Sequence, residues 1–159
     1  MDIEATYAFP LGAADIGFRL LGTYIEELTT VTNAISVDFA GQTGATGGVP
    51  HWRGNFQTTY HRGALNLGAL VRYVQGGKYN NLFVEGVDIN DNDVPSRTYL
   101  DLSGSYEITP GLTVFGKINN VFDSDPPLTP NAIVQPNYGN SVFYDRNGRF
   151  YALGVRFKY

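Results

Sequence analysis

The 159-residue chain contains no cysteine, which excludes both a disulfide framework and a thiolate metal site. Positive charge is scarce: 11 Lys and Arg stand against 15 Asp and Glu, a net charge of −4. Nucleic-acid binding needs a basic face, and none is encoded. No run of 18 apolar residues occurs, so the sequence holds no membrane-spanning helix. That absence leaves membrane strands open, since a strand crosses with about 9–11 residues of which only every second one must be apolar. The N-terminus lacks a basic, apolar leader ending in small residues. "MDIEATYAFP" is instead acidic and alternating, so the chain is expected to follow a removed leader or to start inside something larger.

What is present points to β-structure. Hydrophobic residues make up 43% of the chain, which argues against disorder, and glycine (19), tyrosine (11) and phenylalanine (10) are abundant. The length suits one domain. Helical periodicity is hard to find, and alternation recurs between turn residues.

Seven alternating runs are predicted. The first, Ile3 to Phe9, places Ile3, Ala5, Tyr7 and Phe9 on one face and stops at Pro10-Leu11-Gly12. The second, from Ile16 to about Glu26, aligns Ile16, Phe18, Leu20, Gly22 and Tyr24. A Thr/Gly-rich stretch follows to Pro50. In the third, "HWRGNFQTTYHR", Trp52, Phe56, Thr58 and Tyr60 oppose Arg53, Asn55, Gln57, Thr59 and His61. A turn at Gly63 leads to the fourth, where Leu65, Leu67, Ala69, Val71 and Tyr73 oppose Asn66, Gly68, Leu70 and Arg72. A long polar stretch reaches Ser96. In the fifth, Leu100, Leu102, Gly104 and Tyr106 oppose Tyr99, Asp101, Ser103, Ser105 and Glu107. Pro110-Gly111 centres a tight turn. In the sixth, Leu112, Val114, Gly116 and Ile118 oppose Thr113, Phe115, Lys117 and Asn119. A Pro/Asn-rich loop from about Asn120 to Asn147 precedes the seventh, in which Tyr151, Leu153, Val155, Phe157 and Tyr159 form a stripe to the last residue.

The connections alternate between short turns and stretches of roughly 20 residues, as in outer-membrane barrels. A soluble sandwich also alternates, because it buries one face. Aromatics weigh against it. Trp52 and Tyr60, Tyr151 and Tyr159, and Phe18 and Tyr24 are expected to bracket their strands, like the two aromatic girdles of a membrane barrel. The predicted class is therefore an all-β, antiparallel, up-and-down transmembrane β-barrel segment. Arg53, Arg72, Asp101, Glu107, Lys117 and Arg156 then become lumen-facing candidates; the four cations could line a path for an anionic substrate, and pairing with Asp101 and Glu107 on the same face is the simpler reading. Gly116 and Gly154 are expected to relieve crowding between strands.

Other constellations read as structure. Asp123 and Asp125 in "NNVFDSDPP" fit a strand exit stopped by Pro126-Pro127. "DINDNDVP" begins like a calcium loop, yet Asp93 stands where the frame needs Gly and no Glu closes it. It is expected to be a polar loop. His51 and His61 lie roughly 30 Å apart along one strand, too far to share a metal. No nucleophile elbow or cysteine supports a catalytic triad. We expect no enzyme activity, no cofactor and no metal.

The last third carries a more specific signal. "RTYLDLSGSYEITPGLTVFGKINNVFDSDPP", a Pro/Asn-rich loop and "YDRNGRFYALGVRFKY" together resemble the C-terminal end of TonB-dependent outer-membrane receptors. The resemblance covers Arg97 to Tyr159. It implies a 22-stranded barrel in the outer membrane, filled by an N-terminal plug that couples to TonB and imports a scarce large solute such as a siderophore, a cobalamin or an oligosaccharide. About seven strands cannot close such a barrel, and no plug is encoded here. Residues 1–159 are therefore expected to be the C-terminal segment of the barrel, with the rest of the receptor, TonB and the lipid bilayer as partners. The resemblance also implies that the terminal stripe is read by the barrel-assembly machinery and closes the barrel. The alternative is a complete small outer-membrane barrel with a structural or adhesive role. A soluble all-β binding module comes third.

Overall fold

The computed structural model describes residues 1–44, 48–129 and 143–158. Tyr159, predicted to end the terminal stripe, lies outside them. The elements in chain order are β1 (Asp2–Leu11), β2 (Ala14–Tyr24), β3 (Thr29–Thr32), β4 (Ile35–Asp38), β5 (Trp52–Arg62) and β6 (Leu65–Val74). They continue with β7 (Gly77–Lys78), β8 (Asp93–Val94), β9 (Arg97–Thr109), β10 (Leu112–Asn119) and β11 (Phe150–Phe157). Seven of them form one antiparallel meander in the order β1-β2-β5-β6-β9-β10-β11. These are the seven predicted runs. The two remaining pairs, β3–β4 and β7–β8, are small ribbons within long connections to which no strand was assigned from the sequence.

Three tight turns join strands at one end of the sheet. Each has a glycine in the left-handed region, Gly12 (φ 63°), Gly63 (φ 55°) and Gly111 (φ 99°), where a Cβ would be strained. The long connections all lie at the other end. Pro10 does not stop β1, as was expected; the strand runs through it to Leu11, with Pro10 opposite Asp15. β1 is an edge strand among the described residues, a position that tolerates a missing N–H donor.

Registers fix the two faces, because directly paired residues point the same way. One row runs Phe9, Ile16, Tyr60, Leu67, Gly104, Gly116 and Leu153. A row on the opposite face runs Glu4, Leu21, Asn55, Arg72 and Tyr99. The apolar face is uncovered: Leu153 is 90% exposed, and Tyr7, Leu67, Tyr106, Tyr151, Val155 and Phe157 are also exposed. In water such a surface carries a large penalty, whereas against hydrocarbon it carries none.

The aromatics are less neatly banked than the sequence suggested. Phe18 sits in the body of β2, not at its end. It stacks on Phe56 at 5.9 Å and neighbours Phe9 at 6.1 Å, so cross-strand pairing sets its place. Tyr24 and Trp52 do meet at the long-loop end, 4.7 Å apart.

The buried core is not between sheets. Val74, Val94, Tyr99 and Tyr144, with Tyr79 and Phe143 against them, gather where the long connections fold over the polar face.

The sheet is also stepped. Ile118 pairs with Leu102, yet β9 continues to Arg97 while β10 ends at Asn119. Residues 120–125 fill the step as irregular chain. Val121 N–H donates to Leu100 O (2.8 Å), Asn120 N–H to an Asp101 carboxylate oxygen (2.8 Å), and Arg97 Nε to Asp125 O (2.8 Å). Asn120 (φ 48°) and Asp123 (φ 55°) adopt the left-handed conformation that Asn and Asp tolerate best after glycine.

Candidate functional site: the polar face and its loop-end cluster

The register brings Arg53, Arg72, Asp101, Glu107, Lys117 and Arg156 to one face, opposite Tyr151, Leu153, Val155 and Phe157. Pairing among the six is narrower than predicted. Arg72 and Asp101 form a two-point contact, Nε to Oδ2 at 2.7 Å and Nη2 to Oδ1 at 3.0 Å. The other four make no ion pair among the described residues. Arg156 instead lies 5.7 Å from the Phe115 ring.

Phe115 also explains Gly154. The two residues pair directly across β10 and β11, and a Cβ on Gly154 would stand 2.4 Å from the Phe115 ring. The ring therefore occupies the space that a side chain would need. Gly116 is less tightly boxed, with Ala152 O at 3.3 Å.

Arg72 is the hub of the loop-end cluster. Its Nη2 also donates to Asp145 Oδ2 at 2.9 Å, and its guanidinium lies 5.0 Å from the Tyr99 ring centroid. Tyr99, 1% exposed, accepts a hydrogen bond at its hydroxyl from the Asp145 N–H (3.2 Å). Asp145 turns the chain locally by accepting the Asn147 N–H, an Asx turn. Farther along, Asp123 accepts the Arg149 N–H at 2.7 Å. Residues 143–149 are thus strapped across the polar face, held at one end by Arg72 and Tyr99 and at the other by Asp123.

Three connections meet under this strap. Tyr144 is buried beside Val74 and Val94, and burial pushes its phenol above its ordinary range. The β4–β5 and β6–β9 connections are fused to each other. Gly41 and Thr43 exchange backbone bonds with Lys78, Asn81 N–H donates to Gln42 Oε1, and Asn81 Nδ2 donates to Asp38 O and Ala40 O.

The polar-loop reading of "DINDNDVP" has a structural counterpart. Asp88 accepts the Val84 N–H, and Asp91 accepts the Asp93 N–H. Asp93 pairs with Lys78, which raises the Lys78 pKa. Buried Asn92 donates to Asn80 O and Phe83 O and accepts the Asn80 N–H. These oxygens close the loop on itself. His51 bonds Ile25 O and His61 bonds Asn66 Oδ1, so the two imidazoles serve separate ends of the sheet.

Sequence reasoning missed Tyr99 and Asp145. One signal was available: Tyr99 is an aromatic residue on the parity otherwise given to Asp101, Ser103 and Ser105. Asp145 carried no such mark, because its partner lies 73 residues away.

On either side of Arg72 the face is recessed. One hollow of about 560 Å³ is lined by Arg53, Asn55, Arg72, Tyr99 and Phe143, among others. A second, of about 420 Å³, is lined by Gln57, Arg72, Asp101, Lys117 and Asp145, among others.

The sequence model of a family described as "TonB dependent receptor-like, beta-barrel" matches residues 1–121. It reaches the strands upstream of Arg97 and overlaps the C-terminal resemblance at residues 97–121. No curated protein and no solved structure matches the chain.

Proposed function

Because this chain belongs to the TonB-dependent receptor-like β-barrel family, we propose that it supplies wall and closing strands of an outer-membrane active transporter energised through TonB. The family assigns outer-membrane transport in general. Uptake of a scarce large solute of siderophore, cobalamin or oligosaccharide type is our narrower reading. One observation carries the wall-strand reading: a single sheet with an uncovered apolar face and a polar face bearing Arg53, Arg72, Asp101, Glu107, Lys117 and Arg156. Lipid takes the first face and the lumen the second.

In this reading the long connections are extracellular, and β1 and β11 pair with strands outside residues 1–159. β1 and β11 do not pair with each other, which weighs against closure into a small barrel. The plug and the TonB contact lie in the remainder of the receptor. The stripe Tyr151, Leu153, Val155, Phe157 and Tyr159 presents the closing strand to the barrel-assembly machinery. We assign no catalytic step to any residue.

The test is a cysteine scan along β11 in the native outer membrane. Cysteines replacing Tyr151, Leu153 and Val155 should react with a bilayer-soluble maleimide, and those replacing Ala152 and Arg156 with an aqueous one. Uniform aqueous labelling would remove the membrane reading. Solute uptake should cease when TonB is deleted.

A further inference from the structure

The two edges of the β3–β4 ribbon differ. Asn33 (φ 51°) and Ala34 (φ 64°) form a two-residue loop with both residues left-handed, a turn that joins hydrogen-bonded neighbours. Thr32 and Ile35 flank it, and hydrogen-bonded pairs alternate along an antiparallel ladder. Thr32 and Thr30 therefore bond to β4. The Phe39 N–H donates to Leu28 O at 2.9 Å, the next place in the same alternation. The backbone N–H and C=O groups of Thr29 and Val31 point the other way, out of the ribbon. Among the described residues these groups have no hydrogen-bond partner. The opposite edge is partly closed, because Asp38 O on β4 accepts from Asn81 Nδ2 at 3.0 Å.

Nothing in β3 blunts its open edge. Thr29, Thr30, Val31 and Thr32 are β-branched, uncharged and exposed, and the register has no bulge. A lysine, a proline or a bulge is the usual protection against pairing with another chain. The surrounding charge selects the partner. Residues 25–51 carry Glu26, Glu27 and Asp38 and neither Lys nor Arg. The connection joined to the ribbon by Asn81 adds Glu85, Asp88, Asp91 and Asp93, all exposed. Its one cation, Lys78, is already paired with Asp93. A second copy of this chain would bring two acidic surfaces together, so the edge is not self-complementary.

We propose that the outer edge of β3 docks an extended cationic peptide segment, which adds a third strand to the β3–β4 ribbon. Thr29 and Val31 supply the backbone donors and acceptors, the mode of recognition known as strand addition. The acidic surround draws the segment in and disfavours neutral or acidic competitors. The inference stands on the ribbon alone, whichever face of the seven-stranded sheet meets lipid.

The experiment uses the intact receptor in outer-membrane vesicles, with an end-blocked hexapeptide of alternating Lys and Val as probe. Residue-resolved hydrogen exchange should show Thr29 and Val31 slowed saturably by the peptide, and Thr30 and Thr32 slow with or without it. The same peptide N-methylated at every backbone nitrogen keeps its charge and should give no protection. Val31→Pro removes an outward donor and leaves the bonds to β4 in place, because those belong to Thr30 and Thr32. It should raise the peptide midpoint about fivefold to tenfold, the worth of a backbone hydrogen bond. Slow exchange at Thr30 and Thr32 in that variant shows that the ribbon is still folded. Glu26→Gln combined with Glu27→Gln should raise the midpoint about threefold, as for exposed charges. Equal protection by the N-methylated peptide would mean attraction by charge alone and overturns strand addition, as does a peptide that leaves Thr29 and Val31 unchanged. Protection of Thr29 and Val31 that rises with receptor density and needs no peptide would give the edge to a second copy. A Val31→Cys side chain closed to an aqueous maleimide would show the edge covered by the rest of the receptor, which also overturns the proposal.

Discussion

Arg72 and Asp145 meet at 2.9 Å although 73 residues separate them. The contact ties the sixth strand to the last long connection, and Tyr99 seals it from below. It is the point at which wall and loop become one structure.

Removing the hub should therefore cost more than a surface ion pair. Arg72→Gln leaves Asp101 and Asp145, both largely buried, without their charge partner. A loss of about 1–3 kcal/mol is expected, above the 0–1 kcal/mol typical of exposed pairs. Urea unfolding in vesicles would measure it. A double-mutant cycle with Asp145→Asn should give a coupling energy of about 1 kcal/mol or more. A coupling near zero would show that the Arg72–Asp145 contact does not hold the strap, leaving it to Tyr99, Asp123 and Tyr144 packing.

Tyr99 separates two contributions in one position. Tyr99→Phe removes only the acceptor for the Asp145 N–H and should cost about 0.5–1.5 kcal/mol. Tyr99→Ala also empties the space between Val74, Val94 and Tyr144, and should cost about 3–5 kcal/mol. Equal effects of the two variants would contradict the packing role.

The sheet was legible in the sequence because one physical rule governs each strand: alternate residues meet different solvents. That rule placed Arg53, Arg72, Asp101, Glu107, Lys117 and Arg156 on one face with no knowledge of their partners. It put Tyr99 on that face too but could not foresee its burial, which depends on Tyr144 arriving from a distant connection. Nor could it find β3–β4 or β7–β8. Those ribbons are two to four residues per strand, too short for alternation to register, and are held by Asp38, Asn81 and Asn92 side chains bonding to backbone. Phe18 was misjudged because its neighbours Phe9 and Phe56 belong to other strands. Pro10 was read as a stop, yet it pairs opposite Asp15 one residue before the end of β1.

Asp38 lies outside the seven-stranded sheet and gives a pH prediction. Its carboxylate accepts the Leu28 and Ala40 N–H groups at 2.8 and 2.9 Å, and these bonds lower its pKa. A depressed folded pKa means that the stabilisation is complete above the unfolded value of about 3.9 and fades as pH falls through the lower folded value. Hydrogen exchange at Leu28 and Ala40 should therefore accelerate, beyond the intrinsic trend, only in acid below about pH 4. In Asp38→Asn the two amides should lose that acid-dependent step. Its persistence would assign the step to another group.

Gly154 tests crowding at the last strand pair. A Cβ there would sit 2.4 Å from the Phe115 ring, and the ring is braced by Arg156. Gly154→Val should destabilise the β10–β11 pairing by about 1–3 kcal/mol, the usual cost of overpacking. Phe115→Ala in the same chain should recover most of it. Folding yield in vesicles, read by heat-modifiable gel mobility, would report both.

Leu153 and Ser105 give opposite expectations for the same charge. Leu153 projects 90% exposed from the apolar face, in the row that includes Leu67 and Tyr60. Ser105 lies on the polar face between Asn66 and Phe115. In water neither position would resist a charge, since both are accessible. In a bilayer Leu153→Arg must bring a guanidinium toward hydrocarbon, at about 2–4 kcal/mol near the midplane and less toward either interface, while Ser105→Arg meets the wet side and should cost under about 0.5 kcal/mol. Equilibrium folding into vesicles gives both numbers directly. Equal tolerance of the two substitutions would mean that no lipid faces this stripe, and the alternation along β11 would then need another cause.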